Sequence, residues 1–94
     1  MATAYVIEIP GMTPEQGAAI IREMGLSSPP DGQVLHIEGP MDGGGMRIVD
    51  VWESQEAFDA FIGSRLAPAF QKVGLTFPET LQPTLVWPVT GILK

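Results

Sequence analysis

The chain has 94 residues, one domain's length, with 5 lysines and arginines against 11 acidic residues and a net charge of −6. That balance supplies no basic footprint for nucleic acid and no attraction to an anionic membrane surface. Cysteine is absent, which excludes disulfides, thiolate metal sites and a cysteine nucleophile.

Met1 to Tyr5 has no basic region followed by an apolar core, so no signal peptide is expected. No apolar run approaches the ~20 residues of a membrane span. Cytoplasm is the expected compartment. Thr3 to Ile9, rich in β-branched and aromatic residues, predicts a first strand, ended by Pro10 and Gly11. Thr13 then predicts a helix N-cap, with Pro14 at the first helical position and Gln16 closing a capping box. Ala18, Ile20, Ile21 and Met24 form the apolar face of that helix, and Gly25 stops it. Ser27 to Gly32 reads as a loop.

Gln33 to Glu38 predicts the second strand, with Leu35 and Ile37 on one face and Val34, His36 and Glu38 on the other. The turn from Gly39 to Gly45 ends in three glycines that tolerate positive φ, predicting a hairpin into a third strand, Met46 to Glu53. These glycines join two strands and open no helix, so they are no phosphate cradle. Ser54 predicts the cap of a second helix with Ala57, Phe58, Phe61 and Ile62 as its buried stripe. Pro68 is expected to interrupt it, Ala67 to Val73 to add a turn or two, and Gly74 to stop it. Thr84 to Val89 predicts the last strand, placed at an edge by Pro88.

The order β-α-β-β-α-β predicts an α+β, ferredoxin-like domain over residues 1–94: a four-stranded antiparallel sheet with two helices on one face. The first and third strands, central in that arrangement, carry apolar residues on both faces. The helices cover one face, and a second copy packed sheet to sheet is the expected cover of the other. The expected assembly is therefore a homodimer, with Val89, Ile92 and Leu93 packed on the partner.

At Val49 to Phe58 the chain resembles the dimeric α/β-barrel superfamily, in particular its antibiotic-biosynthesis-monooxygenase-like branch. A third strand ending in Trp52-Glu53, then a polar cap and an acidic-Ala-aromatic helix start, carries the resemblance. It implies a homodimer of α/β-barrel form. It further implies a cofactor-independent monooxygenase or isomerase acting, without metal or flavin, on a small aromatic or polycyclic molecule between sheet and helices. Many relatives carry a histidine in the second helix where this chain has Phe61, so a mechanism built on that histidine does not transfer.

The candidate site residues follow from strand phase. A cross-hairpin pair of Glu38 with Arg47 would put Leu35, Ile37, Ile48, Asp50 and Trp52 on the helix face, and His36 on the partner face. A shift of one residue would instead bring His36 and Asp50 together, a plausible acid-base unit. Asp50 reads either as a hydrogen-bonded structural carboxylate or as a proton-transfer group in an apolar pocket. His36, the only histidine, reads either as a structural strand residue or as its catalytic partner. Trp52, Phe58, Phe61 and Ile48 read as core or as walls contacting a substrate. Scattered carboxylates make no metal site, and isolated aromatics in an acidic chain do not fit an RNA-recognition sheet. Two functions remain open: an enzyme with a pocket reaching Asp50, or a non-catalytic binding or structural dimer with that pocket filled by side chains.

Overall fold

A computed structural model describes residues 2–76 and 83–93. In chain order the elements are β1 (Thr3–Ile9), α1 (Pro14–Met24), β2 (Gln33–Pro40), β3 (Met46–Trp52), α2 (Gln55–Phe61), a π turn (Ile62–Leu66), α3 (Ala67–Lys72) and β4 (Leu85–Pro88). The sheet is four-stranded, antiparallel and ordered β2-β3-β1-β4, with β1 and β3 in the centre as expected. This α+β arrangement is compatible with the ferredoxin-like fold. Among the described residues no helix is long and apolar enough to cross a membrane.

The helix ends form where the sequence places them. The Thr13 hydroxyl accepts from the Gln16 amide at 3.1 Å, and the Gln16 side chain accepts from the Thr13 amide at 2.9 Å, completing the capping box. Gly25 closes α1 in the left-handed region, and the Ser54 hydroxyl accepts from the Ala57 amide at 3.1 Å to start α2. Ala18, expected on the buried face of α1, is exposed; Gly17 and Ile20 occupy the buried side instead. Pro68 leaves the second helix continuous in space. A wide π turn precedes it, in which the Ala67 amide donates to the Ile62 carbonyl, and α3 follows.

The β2–β3 hairpin turns through Gly43, Gly44 and Gly45, all at positive φ. Its register differs from the Glu38–Arg47 expectation. His36 stands opposite Asp50, Glu38 opposite Ile48 and Gly39 opposite Arg47, with an irregularity between Gln33 and Leu35. Arg47 reaches across to β1 instead, donating to Glu8 from Nε at 2.9 Å and from Nη2 at 2.6 Å. Because side chains alternate along a strand, the shift inverts β2. His36 and Glu38 join Asp50 and Trp52 on the helix side, and Leu35 and Ile37 pass to the open side.

The two faces of the sheet then divide cleanly. On the helix side, Tyr5, Ile7, Trp52 and Phe58 form one buried cluster, and Met12, Ile20, Met46, Ala69 and Phe70 another. Tyr5 stacks on Phe58 with ring centroids 4.1 Å apart, and Trp52 meets Phe61 at 5.0 Å. On the open side, Leu35 is 44% exposed, Ile37 54%, Leu85 59% and Trp87 44%, while Ala4 and Val51 at its centre are buried. Ile92 and Leu93 are also exposed, and Lys94 lies outside the described residues.

Gly32 ties the α1–β2 loop to the rest. Its φ is +87°, its carbonyl accepts from the Glu53 amide at 2.8 Å, and a Cβ there would stand 2.8 Å from Ala57 Cβ. Gly32→Ala therefore combines backbone strain with a collision, and should cost about 1–3 kcal/mol, read as a lowered denaturant midpoint.

Candidate functional site

Between the helix side of the sheet and the helices lies a cavity of about 310 Å³, within the range of small-molecule sites. Its walls are apolar and come from every layer: Ile7 and Ile48 from the sheet, Ile20 and Met24 from α1, Phe61 before the π turn, and Phe70 from α3. Leu26, Ser27, Ser28 and Pro29 of the α1–β2 loop complete it. The polar groups gather along β2 and β3: His36, Glu38 and Asp50, with Gln33 at the end of β2.

These groups form one chain of hydrogen bonds. The Trp52 indole N–H donates to Asp50 Oδ2 at 3.2 Å. His36 Nδ1 donates to Asp50 Oδ1 at 2.6 Å, and His36 Nε2 donates to Glu38 Oε1 at 2.8 Å. Asp50 is 5% exposed, so its carboxylate is held by partners rather than by water. The hydrogen bond to Asp50, then that to Glu38, raise the His36 pKa from 6.5 to about 9 against the opposing effect of burial. His36 is consequently an imidazolium at neutral pH, with both N–H groups donating to carboxylates. The two carboxylates sit at opposite edges of the ring and do not converge on a common point. Among the described residues no group of three or more His, Asp or Glu side chains could hold a metal ion.

Of the residues expected at the site, His36, Asp50, Ile48 and Phe61 line the cavity together. Trp52 and Phe58 are not among its lining residues. Trp52 is fully buried, in an edge-type contact with Phe58 and a tilted one with Phe61, so it acts on the cavity only through its bond to Asp50. The sequence reading missed Glu38, which it assigned to Arg47, and it missed Gly17. Two signals pointed to them. Glu38 lies two residues from His36 and so shares its face. Gly17 sits inside a helix, where glycine costs about 1 kcal/mol relative to alanine and calls for a reason.

No protein-family model, curated protein or solved structure matches the chain.

The raised pKa of His36 makes folding depend on pH. A histidine near 6.5 when unfolded and near 9 when folded adds stability that is fully present below pH 6.5 and is lost as pH rises through 9. Its size is on the order of 2–3 kcal/mol. Melts of the native protein and His36→Gln across pH 6 to 10 should converge as pH rises. A constant gap would show that the imidazolium contributes nothing.

Proposed function

We propose that the protein is a small homodimeric enzyme that moves a proton on a small organic molecule held between sheet and helices. The observation that carries this reading is the His36–Asp50 pair, 2.6 Å apart, at the polar end of a cavity whose other walls are mostly apolar. An apolar enclosure with a few convergent polar groups is the usual form of a small-molecule site. A filled pocket would have favoured a purely structural dimer.

The chemistry follows from the order of the bonds. Asp50, fixed by Trp52, holds the Nδ1 edge of the imidazole and sets its orientation. Nε2 is then the edge that works on a ligand, once Glu38 yields its place or shares it. At neutral pH that edge carries a proton, so His36 donates to a carbonyl or to an oxygen gaining negative charge. Proton transfer by a positioned group contributes about 10²–10⁴ in rate. Enolisation of a ketone, in which Glu38 takes the α-proton while His36 donates to the carbonyl oxygen, is the class of reaction that this pair assists, whether it ends in isomerisation or in attack on molecular oxygen. This agrees with the cofactor-independent monooxygenases and isomerases that the Val49 to Phe58 stretch resembles. Ile48 and Phe61 would pack on the body of the substrate.

Oxygen uptake and absorbance changes with anthrones and naphthoquinols test the reaction. His36→Gln and Asp50→Asn should each lower turnover by about 10²–10⁴. Turnover retained in both variants would end the assignment. With no turnover by the native protein on any compound, the non-catalytic binding reading takes its place. Asp50→Asn should also melt lower, by about 1.5–3 kcal/mol, because an amide cannot accept from both Trp52 and a protonated His36. Rates are therefore to be compared well below both melting temperatures.

The dimer rests on the open side of the sheet. Leu35, Ile37, Leu85 and Trp87 are large, apolar and exposed on one surface. A patch of this kind marks an interface, and sheet-to-sheet packing of two copies would cover it. Sedimentation at micromolar concentration should give about twice the 10.1 kDa chain mass. Ile37→Glu should return the mass to that of one chain with the circular dichroism unchanged. A native monomer would overturn the assignment.

A further inference from the structure

We propose that Glu38 sets the charge selectivity of the cavity, which takes apolar molecules ending in a hydrogen-bond donor, a protonated amine above all, and refuses those ending in a carboxylate. This rests on the reading of the cavity as a ligand site, and adds to it which end group that site recognises.

Three observations lead there. The first is the charge at the polar end. One imidazolium stands between two carboxylates, which leaves one negative charge in excess, and no lysine or arginine is among the lining residues. Arg65 lines a neighbouring crevice instead, where it donates to the Met24 carbonyl at 2.7 Å. Glu38 is exposed and His36 half-buried, so water screens part of this excess, but a second anion brought into contact with it is still repelled.

The second is which acceptor is free. Both oxygens of Asp50 are engaged, one by His36 and one by Trp52. Glu38 uses Oε1 for His36, and among the described residues Oε2 accepts no hydrogen bond. An incoming donor therefore meets Glu38 Oε2, whereas an acceptor reaches His36 Nε2 only where Glu38 gives way.

The third is Gly17. It lines the cavity on α1, and a Cβ at this position would lie 2.7 Å from Glu38 Oε2. The absence of a side chain at the first turn of α1 is what lets the carboxylate swing in beside His36. The colliding atom is the far end of a flexible side chain, so alanine here would displace Glu38 and leave the backbone where it is. Gly17 is in this sense a positioning residue for Glu38.

Titration calorimetry at pH 7.5 with octylamine, octanol and octanoate, which share one apolar body, tests the assignment. The native protein should bind octylamine about tenfold or more tighter than octanoate, with octanol between them. Glu38→Gln should bring amine and carboxylate to within about threefold, because His36 then keeps its charge with one carboxylate fewer. Gly17→Ala should shift the preference in the same direction while gaining helix propensity, and so remains informative if Glu38→Gln folds poorly. Octanoate binding as tightly as octylamine to the native protein overturns the proposal and leaves the ligand site standing. So does a preference that survives in both variants. If none of the three compounds binds, the reading of the cavity as a ligand site falls, and the proposal falls with it.

Discussion

The register of β2 against β3 is the constraint on which the remaining architecture depends. Side chains alternate along a strand, so a slip of one residue moves a whole set from one face to the other. With His36 opposite Asp50, the polar members of β2 enter the helix side and its two large aliphatic residues leave it. The same choice thus creates both the polar end of the cavity and the exposed apolar surface behind it. Several contacts hold it in place. The charge-assisted bond between His36 and Asp50 is available in this register alone. Arg47, freed from β2, is satisfied by Glu8 on the other neighbouring strand, and the Thr84 hydroxyl also donates to Glu8, at 3.3 Å.

Asp50 shows how a costly feature can be sustained. Burying a lone carboxylate in an apolar interior is strongly unfavourable. Here the indole behind it and the imidazolium beside it supply donors to both oxygens, and Glu38 accepts the remaining ring proton. Each group is tolerable only because the next is present, so the chain behaves as a unit. The cavity next to it is costly for another reason: its apolar walls forgo packing contacts that a filled core would have made. A small domain has little stability to spare. Beside the cavity, Asp50 is the one buried polar side chain among the described residues, and the proposed ligand site rests on that combination.

Much of the fold was legible in the sequence, and the reasons are local. Thr13-Pro14-Glu15-Gln16, Ser54 and Gly25 act within one turn of helix, so their meaning does not depend on distant residues. The span of β1 and the edge position of β4 follow from composition and from Pro88. The register did not, because two local arguments competed. Glu38 and Arg47 looked like a cross-strand ion pair, and that pairing also placed Leu35 and Ile37 in the core. Both inferences considered only β2 and β3. The contact that overturned them lies on β1, 39 residues from Arg47, and hairpin charges carry no signal of it. His36 with Asp50 was visible as the alternative, whereas Glu38 was hidden by its apparent partner. Trp52 and Phe58 were named correctly as interior aromatics, but which ring faces a cavity and which faces another ring is decided by packing alone.

The π turn between α2 and α3 has a consequence for how this chain can change length. A π turn holds more residues per revolution than an α turn, so it winds back the angular drift of the apolar stripe. Phe58 on one side of it and Ala69 and Phe70 on the other are all buried, while Phe61, Ile62 and Leu66 between them contribute to the cavity wall. Loss of one residue from Ile62–Leu66 would let the segment close as ordinary α-helix, which is locally easier. Residues beyond it, Phe70 included, would keep their facing, but Pro68 would come to lie in a regular helix that it does not fit. The wide turn is what gives Pro68 its room. The extra residue and the proline after it thus form one device, in which the first is kept for the sake of the second.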